Sequence, residues 1–290
     1  MIQTKSIDRS YNYAISQIFG SSLLNKIGDD THEQNFKYLL TTCELYPAKK
    51  KWDFAYGLEL AYNYLKNNYR CEYVYKNEIA NQLLLKYHSD NSATLLKEVA
   101  SDNSIADIVI INGDTVAYEI KTELDNFDRL CSQLPSYENL YDLLYIVTYR
   151  GAVEKLESLL APSIGIIILD DDGILKTVKP AENNSSMFMP EKAVFSLRQS
   201  ELVAAYERLE GKFPKMGTAL IFEFCSIWYL SLEKKHAHKI FGEALKSRKP
   251  TSHQFELIKH GNPGLKMLLL SKPLSKKNCI SIKNKLSIFV

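Results

Sequence analysis

The sequence predicts an α/β fold, a mixed β-sheet flanked by helices, and three patterns support this expectation. Two β-rich runs, residues 105–111 and 115–121, are joined by Asn112-Gly113-Asp114, which is typical of a hairpin. The runs at 141–149 and 163–170 are almost continuously apolar, as in strands that are buried on both faces. Helical patterns alternate with these later strands, which indicates crossover connections.

Local patterns predict the other elements of this region. Apolar spacing favours an amphipathic helix over 73–88, and the run at 93–101 is typical of a strand. The segments expected to complete the sheet and its covering helices are a helix at 123–134 capped by Thr122, a helix at 151–160 and an edge strand at 174–179.

Composition and pattern divide the chain into three parts. Its 290 residues are 46% apolar and 24% charged, which is ordinary for a globular protein. We expect a helical N-terminal region at 1–72, an α/β core at 73–180 and a helical, basic C-terminal region at 188–290. The polar segment 181–187 would link the last two.

Charge is distributed unevenly along the chain. Residues 231–290 carry 13 Lys and Arg against 3 Asp and Glu, whereas residues 1–230 carry 23 against 31. A basic end of this kind is either a solvated helical surface or a surface that binds a polyanion such as nucleic acid.

The sequence favours a cytoplasmic protein without a membrane segment. Residues 1–13 lack the apolar core of a signal peptide. The most apolar stretch, 218–230, is too short to cross a bilayer and contains Glu223, so we expect a buried helix there. The five cysteines include no CxxC pair, which argues against a disulfide framework or a structural zinc site.

Charged residues interrupt the two runs of the predicted hairpin. Glu-x-Lys occurs three times in the chain, and only Glu119/Lys121 lies on a predicted strand, where residues two apart share a face. Asp107 can join this pair only if the hairpin register allows it. A two-residue turn would place Asp107 and Glu119 on opposite faces, so we predict a three-residue loop or a bulge near Asp107.

Two carboxylates and an amine in one place favour a particular chemistry. Close carboxylates repel each other unless one is protonated or a cation binds between them. Oxygen ligands suit Mg²⁺ or Mn²⁺, and a nearby ammonium can stabilise charge that develops on a phosphate. These are the components of metal-assisted phosphodiester hydrolysis.

The segment "IAD", followed after 11 residues by "EIK", resembles the PD-(D/E)xK nuclease superfamily. The resemblance implies a restriction-endonuclease-like core of order αβββαβ, with helical N- and C-terminal extensions. Ala106 stands where the motif has Pro, a residue that supplies no ligand. More narrowly, residues 75–185 resemble the sce7726 family of bacterial and phage proteins.

The resemblance also implies roles for individual residues. Asp107, Glu119 and the backbone carbonyl of Ile120 would ligate Mg²⁺ (or Mn²⁺), and Lys121 would position the attacking water. The side chains that would flank this site are Glu78 as an additional acid, Asp125 and Arg129 from the family's shared run, and Gln133 and Tyr137 as a QxxxY pair. Pro135 lies between the last two, where it is expected to kink or end the helix.

Each of these sites has a plainer alternative. The hairpin acids could form a solvated edge, Glu78 could face solvent, and Asp125 and Arg129 could form an ordinary i, i+4 surface pair.

His236 and His238 lie about 200° apart on a helix, so they cannot chelate one ion together.

Taken together, the residues and the resemblance predict a metal-dependent nuclease, with DNA favoured over RNA as substrate. The basic C-terminal region would grip the nucleic acid. The alternative is a catalytically silent module on the same fold that binds nucleic acid or, through the terminal helices, another protein. The sequence leaves the oligomeric state and the biological role open.

Overall fold

A six-stranded mixed sheet lies at the centre of the protein, in a computed structural model that describes residues 9–27, 29–85 and 93–286. The strands are adjacent in chain order: β1 Thr94–Ser101, β2 Ser104–Asn112, β3 Asp114–Ile120, β4 Leu143–Thr148, β5 Gly165–Leu169 and β6 Leu175–Lys179. β1, β2 and β3 form an antiparallel meander, β3, β4 and β5 are parallel, and β6 returns antiparallel at the edge. The predicted mixed α/β sheet is therefore confirmed.

The helices before the sheet and the two crossover helices range in length from 4 to 15 residues. Those that precede β1 are α1 Arg9–Ile18, α2 Leu23–Lys26, α3 Asp30–Thr42, α4 Phe54–Asn68 and α5 Glu72–Ile79. α6 (Leu130–Glu138) connects β3 to β4, and α7 (Val153–Leu159) connects β4 to β5.

A series of helices follows β6. These are α8 Pro190–Ala193, α9 Gln199–Glu210, α10 Ile221–Ser231, α11 Lys234–Ser247, α12 Ser252–His260, α13 Lys266–Leu270 and α14 Lys276–Lys285. Within the described residues, none of the helices combines the length and the apolarity needed to cross a bilayer.

Two apolar layers cover the two faces of the sheet. Ile108 and Ile110 of β2 pack with the N-terminal helices and with α12–α14. Val109 and Ile111, one residue out of phase, pack with α6–α11. Because successive side chains of a strand point to opposite faces, a strand that is covered on both sides reads as a continuous apolar run.

Two predicted helices differ from the structure near the sheet. The helix predicted over 73–88 is α-helical through Ile79 and continues as a π-helical turn, Ala80–Leu85, while residues 86–88 lie outside the described residues. The helix predicted over 123–134 begins only at Leu130. Thr122 does not cap it, because the Thr122 N–H and hydroxyl donate to Asp125 Oδ2 at 2.9 and 2.8 Å and close a separate turn.

The prediction of a helix over 218–230 is confirmed in part, but the prediction that this helix is buried is wrong. Helix α10 forms there, but Ile227 is 64% exposed and Leu230 is 46% exposed. Only Cys225 and Tyr229 of this helix are buried. The helix packs on α9 and its aromatic neighbours along one narrow side, so its apolar composition exceeds what the fold covers.

Candidate functional site

The hairpin register brings Asp107 and Glu119 to the same level of the sheet. Asn112 pairs with Asp114 around Gly113, whose φ is +91°, and Ile108 pairs with Tyr118. One residue further, the same register sets Asp107 opposite Glu119. This is the three-residue connection that the sequence predicted, and a directly opposed pair shares one face.

The ladder is interrupted beside Asp107 on the other neighbouring strand. Lys97 pairs with Ile108 and Val99 pairs with Ala106, but Glu98, between them, has a left-handed backbone with φ +52°. A non-glycine residue in this region is strained, and such strain is concentrated at functional sites. The interruption coincides with the level of Asp107.

Asp107 is partly buried and bonded to the adjacent strand. Its Oδ2 accepts a hydrogen bond from the Ile120 N–H at 2.8 Å, and its Oδ1 lies 3.4 Å from Lys76 Nζ. Burial and, next, the charge of Glu119 raise the pKa of the Asp107 carboxyl to about 6, although Lys76 opposes the shift. Asp107 and Glu119 therefore interact as two repelling acids.

Glu119 is held by groups on both of its oxygens. Lys121 Nζ donates to Oε1 at 2.8 Å, and the Tyr137 hydroxyl lies 2.9 Å from Oε2. Burial and the charge of Glu119 raise the pKa of Tyr137 well above its ordinary value, so this group stays a neutral phenol at physiological pH. Lys121 also lies 3.4 Å from Gln133 Oε1.

Gln133 and Tyr137 reach the site from helix α6 in spite of Pro135. Of the two expected effects of Pro135, a kink or an end, the structure excludes the end, because the helix continues through Pro135 to Glu138. The Gln133 Nε2 atom lies 3.4 Å from the Tyr137 hydroxyl, as side chains four apart on one helical face should. The pair therefore stands directly behind Glu119 and Lys121.

Sequence reasoning missed Lys76, a residue of helix α5 whose side chain contacts three acids. Its side chain is only 8% exposed, forms an ion pair with Glu72 and lies 3.5 Å from Glu98 Oε1 as well as near Asp107. Burial lowers the pKa of Lys76, but the charges of Asp107 and Glu72 outweigh this and the net shift is upward. The i, i+4 spacing of Glu72 and Lys76 was the available signal.

Glu78 belongs to a different cluster, which corrects its expected place beside the metal ligands. It is buried, and its carboxylate accepts hydrogen bonds from the Tyr62 hydroxyl and from Gln82 Nε2, both at 2.6 Å. Lys66 Nζ lies 3.4 Å from Oε2. Residues 76 and 78 are about 200° apart on a helix, so only one of them can face Asp107.

Asp125 and Arg129 do not enter the site either. Asp125 closes the turn with Thr122, and Arg129 is an exposed residue at the start of α6. Because the helix begins after them, they are not on one helical face. Within the described part of the chain, no ion pair joins them.

The two histidines of α11 have separate environments. His238 Nε2 lies 3.0 Å from Asp142 Oδ1, and the ring of His238 packs on Phe188. His236 is exposed beside Glu233. Neither belongs to the cluster around Asp107.

The cluster around Asp107 has more acids than bases. Glu72, Glu98, Asp107 and Glu119 face the ammonium groups of Lys76 and Lys121. Within residues 9–27, 29–85 and 93–286, no set of three or more His, Cys, Asp or Glu side chains has the geometry of a metal site. A metal ion held by Asp107 and Glu119 would therefore take its other ligands from backbone carbonyls or water.

Comparison with known proteins identifies the family. Residues 65–267, more than two thirds of the chain, match the family described as Bacteriophage P4 protein cII. The chain belongs to this P4 cII family. That description names a phage protein and no chemistry.

The matched region of this P4 cII family member includes the whole sheet, helix α5 and all of the residues around Asp107. No curated protein matches the chain. No solved structure matches it either.

Proposed function

We propose that this P4 cII family member is a metal-dependent nuclease that hydrolyses phosphodiester bonds, with DNA favoured over RNA. The observation that carries the proposal is that Asp107 and Glu119 lie at one level of the hairpin and that Lys121 donates to Glu119. The α6 side chains Gln133 and Tyr137 stand behind them. Strand register thus brings Asp107 to the Glu119–Lys121 pair, and the three residues form one polar cluster beside the apolar side chains of β2 and β3.

The element order supports a restriction-endonuclease-like core of the PD-(D/E)xK type. Helix α5, the meander β1–β3, the crossover helix α6 and strand β4 follow one another as αβββαβ. In this proposal β5 and β6 extend the sheet, and the terminal helices cover its faces. The resemblance of the sequence to the sce7726 family is part of the same proposal.

The donor set fits a hard divalent cation such as Mg²⁺ or Mn²⁺. Burial and the charge of Glu119 raise the pKa of Asp107 to about 6, and a cation that neutralises the two acids would stabilise them. Asp107, Glu119 and the backbone carbonyl of Ile120 would hold the ion, which would polarise the phosphate and supply positive charge.

The residues around the acids would position the reactants. Lys121, whose Nζ is 2.8 Å from Glu119 Oε1, would orient the attacking water and stabilise negative charge on the phosphate. Gln133 and Tyr137 would fix the positions of Lys121 and Glu119. Lys76 would hold Asp107 against helix α5.

Cleavage assays on plasmid DNA, single-stranded DNA and RNA, with and without Mg²⁺ or Mn²⁺, test this function. We expect metal-dependent cutting that falls by a factor of about 10²–10³ in Asp107→Asn, Glu119→Gln and Lys121→Ala. Lys212→Ala is the matched control, because Lys212 closes another Glu-x-Lys motif at an exposed position outside the cluster. Cutting that is equal in all variants, or is absent from the wild type on every substrate, contradicts the proposal.

A further inference from the structure

A basic cleft runs along the outer edge of strand β1, next to the cluster around Asp107. It has a volume of about 480 Å³ and is lined by residues 96–100, 195–198, 247–250 and 270–273, together with Gln254. β1 is an edge strand, so one wall of the cleft is the uncovered side of the sheet. The other walls come from the C-terminal helical region.

We propose that this cleft binds an unpaired polynucleotide strand and leads it to Asp107 and Glu119. The inference rests on the proposed nuclease function and names its substrate as nucleic acid with single-stranded character.

The charges that line the cleft favour a chain of phosphates. The cationic side chains of the lining include Lys97, Arg198, Lys249 and Lys272. Glu98 is the one acid in the lining, and its Oε1 lies 3.3 Å from Lys97 Nζ. A fifth cation, Arg248, is already engaged by Glu201 at 2.7 Å and serves the fold. Cationic side chains gain affinity for nucleic acid by releasing the counterions that surround its phosphates.

An exposed aromatic ring at the cleft favours an unpaired strand over a duplex. Phe195 lines the cleft and is 71% exposed, the second largest exposure among the large apolar side chains of the described residues. A flat ring beside cations is the arrangement that binds single strands, because the faces of unpaired bases stack on it. In a duplex those faces are covered by neighbouring base pairs.

Glu98 connects the cleft to the cluster of acids. It lines the cleft, and its Oε1 lies 3.5 Å from Lys76 Nζ, which in turn lies 3.4 Å from Asp107 Oδ1. The cleft and the proposed active site are therefore separated by a single buried lysine. A strand that lies along the basic wall would pass Glu98, at the level of Asp107 in the middle of β1.

Binding in the absence of catalytic metal tests this inference separately from cleavage. The probes are a fluorescently labelled single-stranded oligodeoxynucleotide of mixed sequence and its duplex, measured by anisotropy in EDTA. We expect the single strand to bind more tightly than the duplex. Phe195→Ala should weaken single-strand binding roughly tenfold with little effect on the duplex.

Substitution of the cations should change the salt dependence. Lys97→Ala, Lys249→Ala and Lys272→Ala should each reduce the slope of log affinity against log salt by about one. The matched controls are Leu209→Ala for the exposed ring and Lys215→Ala for the exposed cations, both outside the cleft, and neither should alter binding.

Two results would overturn the cleft: wild-type protein that does not bind the single strand, or cleft variants that bind as the wild type does. A protein that binds through the cleft but never cuts contradicts the nuclease function and leaves the cleft standing. A protein that cuts, and whose cleft variants bind as the wild type does, contradicts the cleft and leaves the nuclease function standing. If an extended peptide bound at the edge of β1 and the oligonucleotide did not, the edge would be a strand-addition site for peptides, and the inference would be wrong.

Discussion

At the residue scale, the central feature is Asp107, a partly buried acid that lies beside a second acid, Glu119. Asp107 is bonded to the backbone of Ile120 and paired with Lys76, yet burial and Glu119 still raise its pKa to about 6. Near neutral pH the protein therefore holds a carboxylate that is costly to ionise. Binding of a cation would remove that cost.

This cost should be visible in the pH dependence of stability. The folded pKa of Asp107, about 6, lies above the ordinary value of 3.8, so its stabilising contribution is complete below about pH 3.8 and is lost as pH rises through 6. Above that pH the ionised group destabilises the fold by about 3 kcal/mol. Asn at this position does not titrate and can still accept the Ile120 hydrogen bond.

We therefore expect Asp107→Asn to be more stable than the wild type at about pH 7.5 without divalent cations, and this advantage to disappear near pH 4. Urea unfolding at both pH values measures it. Asp128→Asn, at an exposed acid in the loop before α6, is the control. An advantage of equal size at both pH values would show that Asp107 does not titrate as described.

The residues of the site were only partly predictable. Glu119 and Lys121 follow from strand parity, because residues two apart on a strand share a face whatever the tertiary structure, and Asp107 follows only with the register of a three-residue loop. Lys76 and Glu78 do not follow, because nearly every residue of α5 after its first turn is buried and no polar face remains to orient the helix. The sequence supports either residue as the neighbour of Asp107, and the packing of α5 selects Lys76.

At the element scale, the β2–β3 hairpin decides whether the site exists. Its register depends on the three-residue connection Asn112-Gly113-Asp114, in which Gly113 lies between the paired residues and has φ +91°. An ideal Cβ at Gly113 would meet no atom within 4 Å, so a substitution there is opposed only by its backbone conformation. The hairpin thus offers a clean test of backbone strain.

We expect Gly113→Ala to lower the free energy of unfolding by about 1 kcal/mol, because an L residue resists positive φ. Gly217→Ala is the matched control, since its Cβ would also meet nothing and its φ is −66°. Denaturant unfolding of both variants gives the comparison. Equal effects at the two glycines would contradict the stated role of Gly113.

The strands were easier to predict than the helix that completes the site. Continuous apolar runs between turn signals mark β4 and β5 clearly. The start of α6 was placed too early, because the charged residues from 123 to 129 are compatible with a helix and only the Thr122–Asp125 turn prevents it. The interior Pro135 costs α6 one hydrogen bond, and the helix tolerates this loss.

At the scale of the whole molecule, the C-terminal region is divided between the two faces of the sheet. Helices α8–α11 pack on the α6 side, whereas α12–α14 join the N-terminal helices on the other side. No local pattern indicates this division, because it depends on contacts between residues almost 200 positions apart. The basic charge is consequently spread over both sides, and part of it lines the cleft beside β1.

Asn77 of α5 ties the N-terminal layer to this last segment. It is fully buried, donates to the Pro263 carbonyl at 2.7 Å and accepts from the Met267 N–H at 3.0 Å. We expect Asn77→Ala to cost about 2 kcal/mol of unfolding free energy, because the Met267 N–H is left without its partner in an apolar layer and the Pro263 carbonyl keeps only its bond from Asn81.

The neighbouring Asn81 provides the matched control. It donates to the same Pro263 carbonyl at 3.0 Å but from an exposed position, so Asn81→Ala should cost less than about 1 kcal/mol. Urea unfolding followed by circular dichroism measures both. Comparable losses of stability in the two variants would contradict the role of Asn77 in joining α5 to the segment from Pro263 to Met267.

The most direct test of the central claim is diffraction from crystals soaked in Mn²⁺, recorded so that the anomalous signal of the ion is measured. We expect a single strong peak between the carboxylates of Asp107 and Glu119, close to the Ile120 carbonyl, and its loss in crystals of Asp107→Asn. A map without a peak there, or with Mn²⁺ only at other acids, would contradict the claim that these two strands build a cation site.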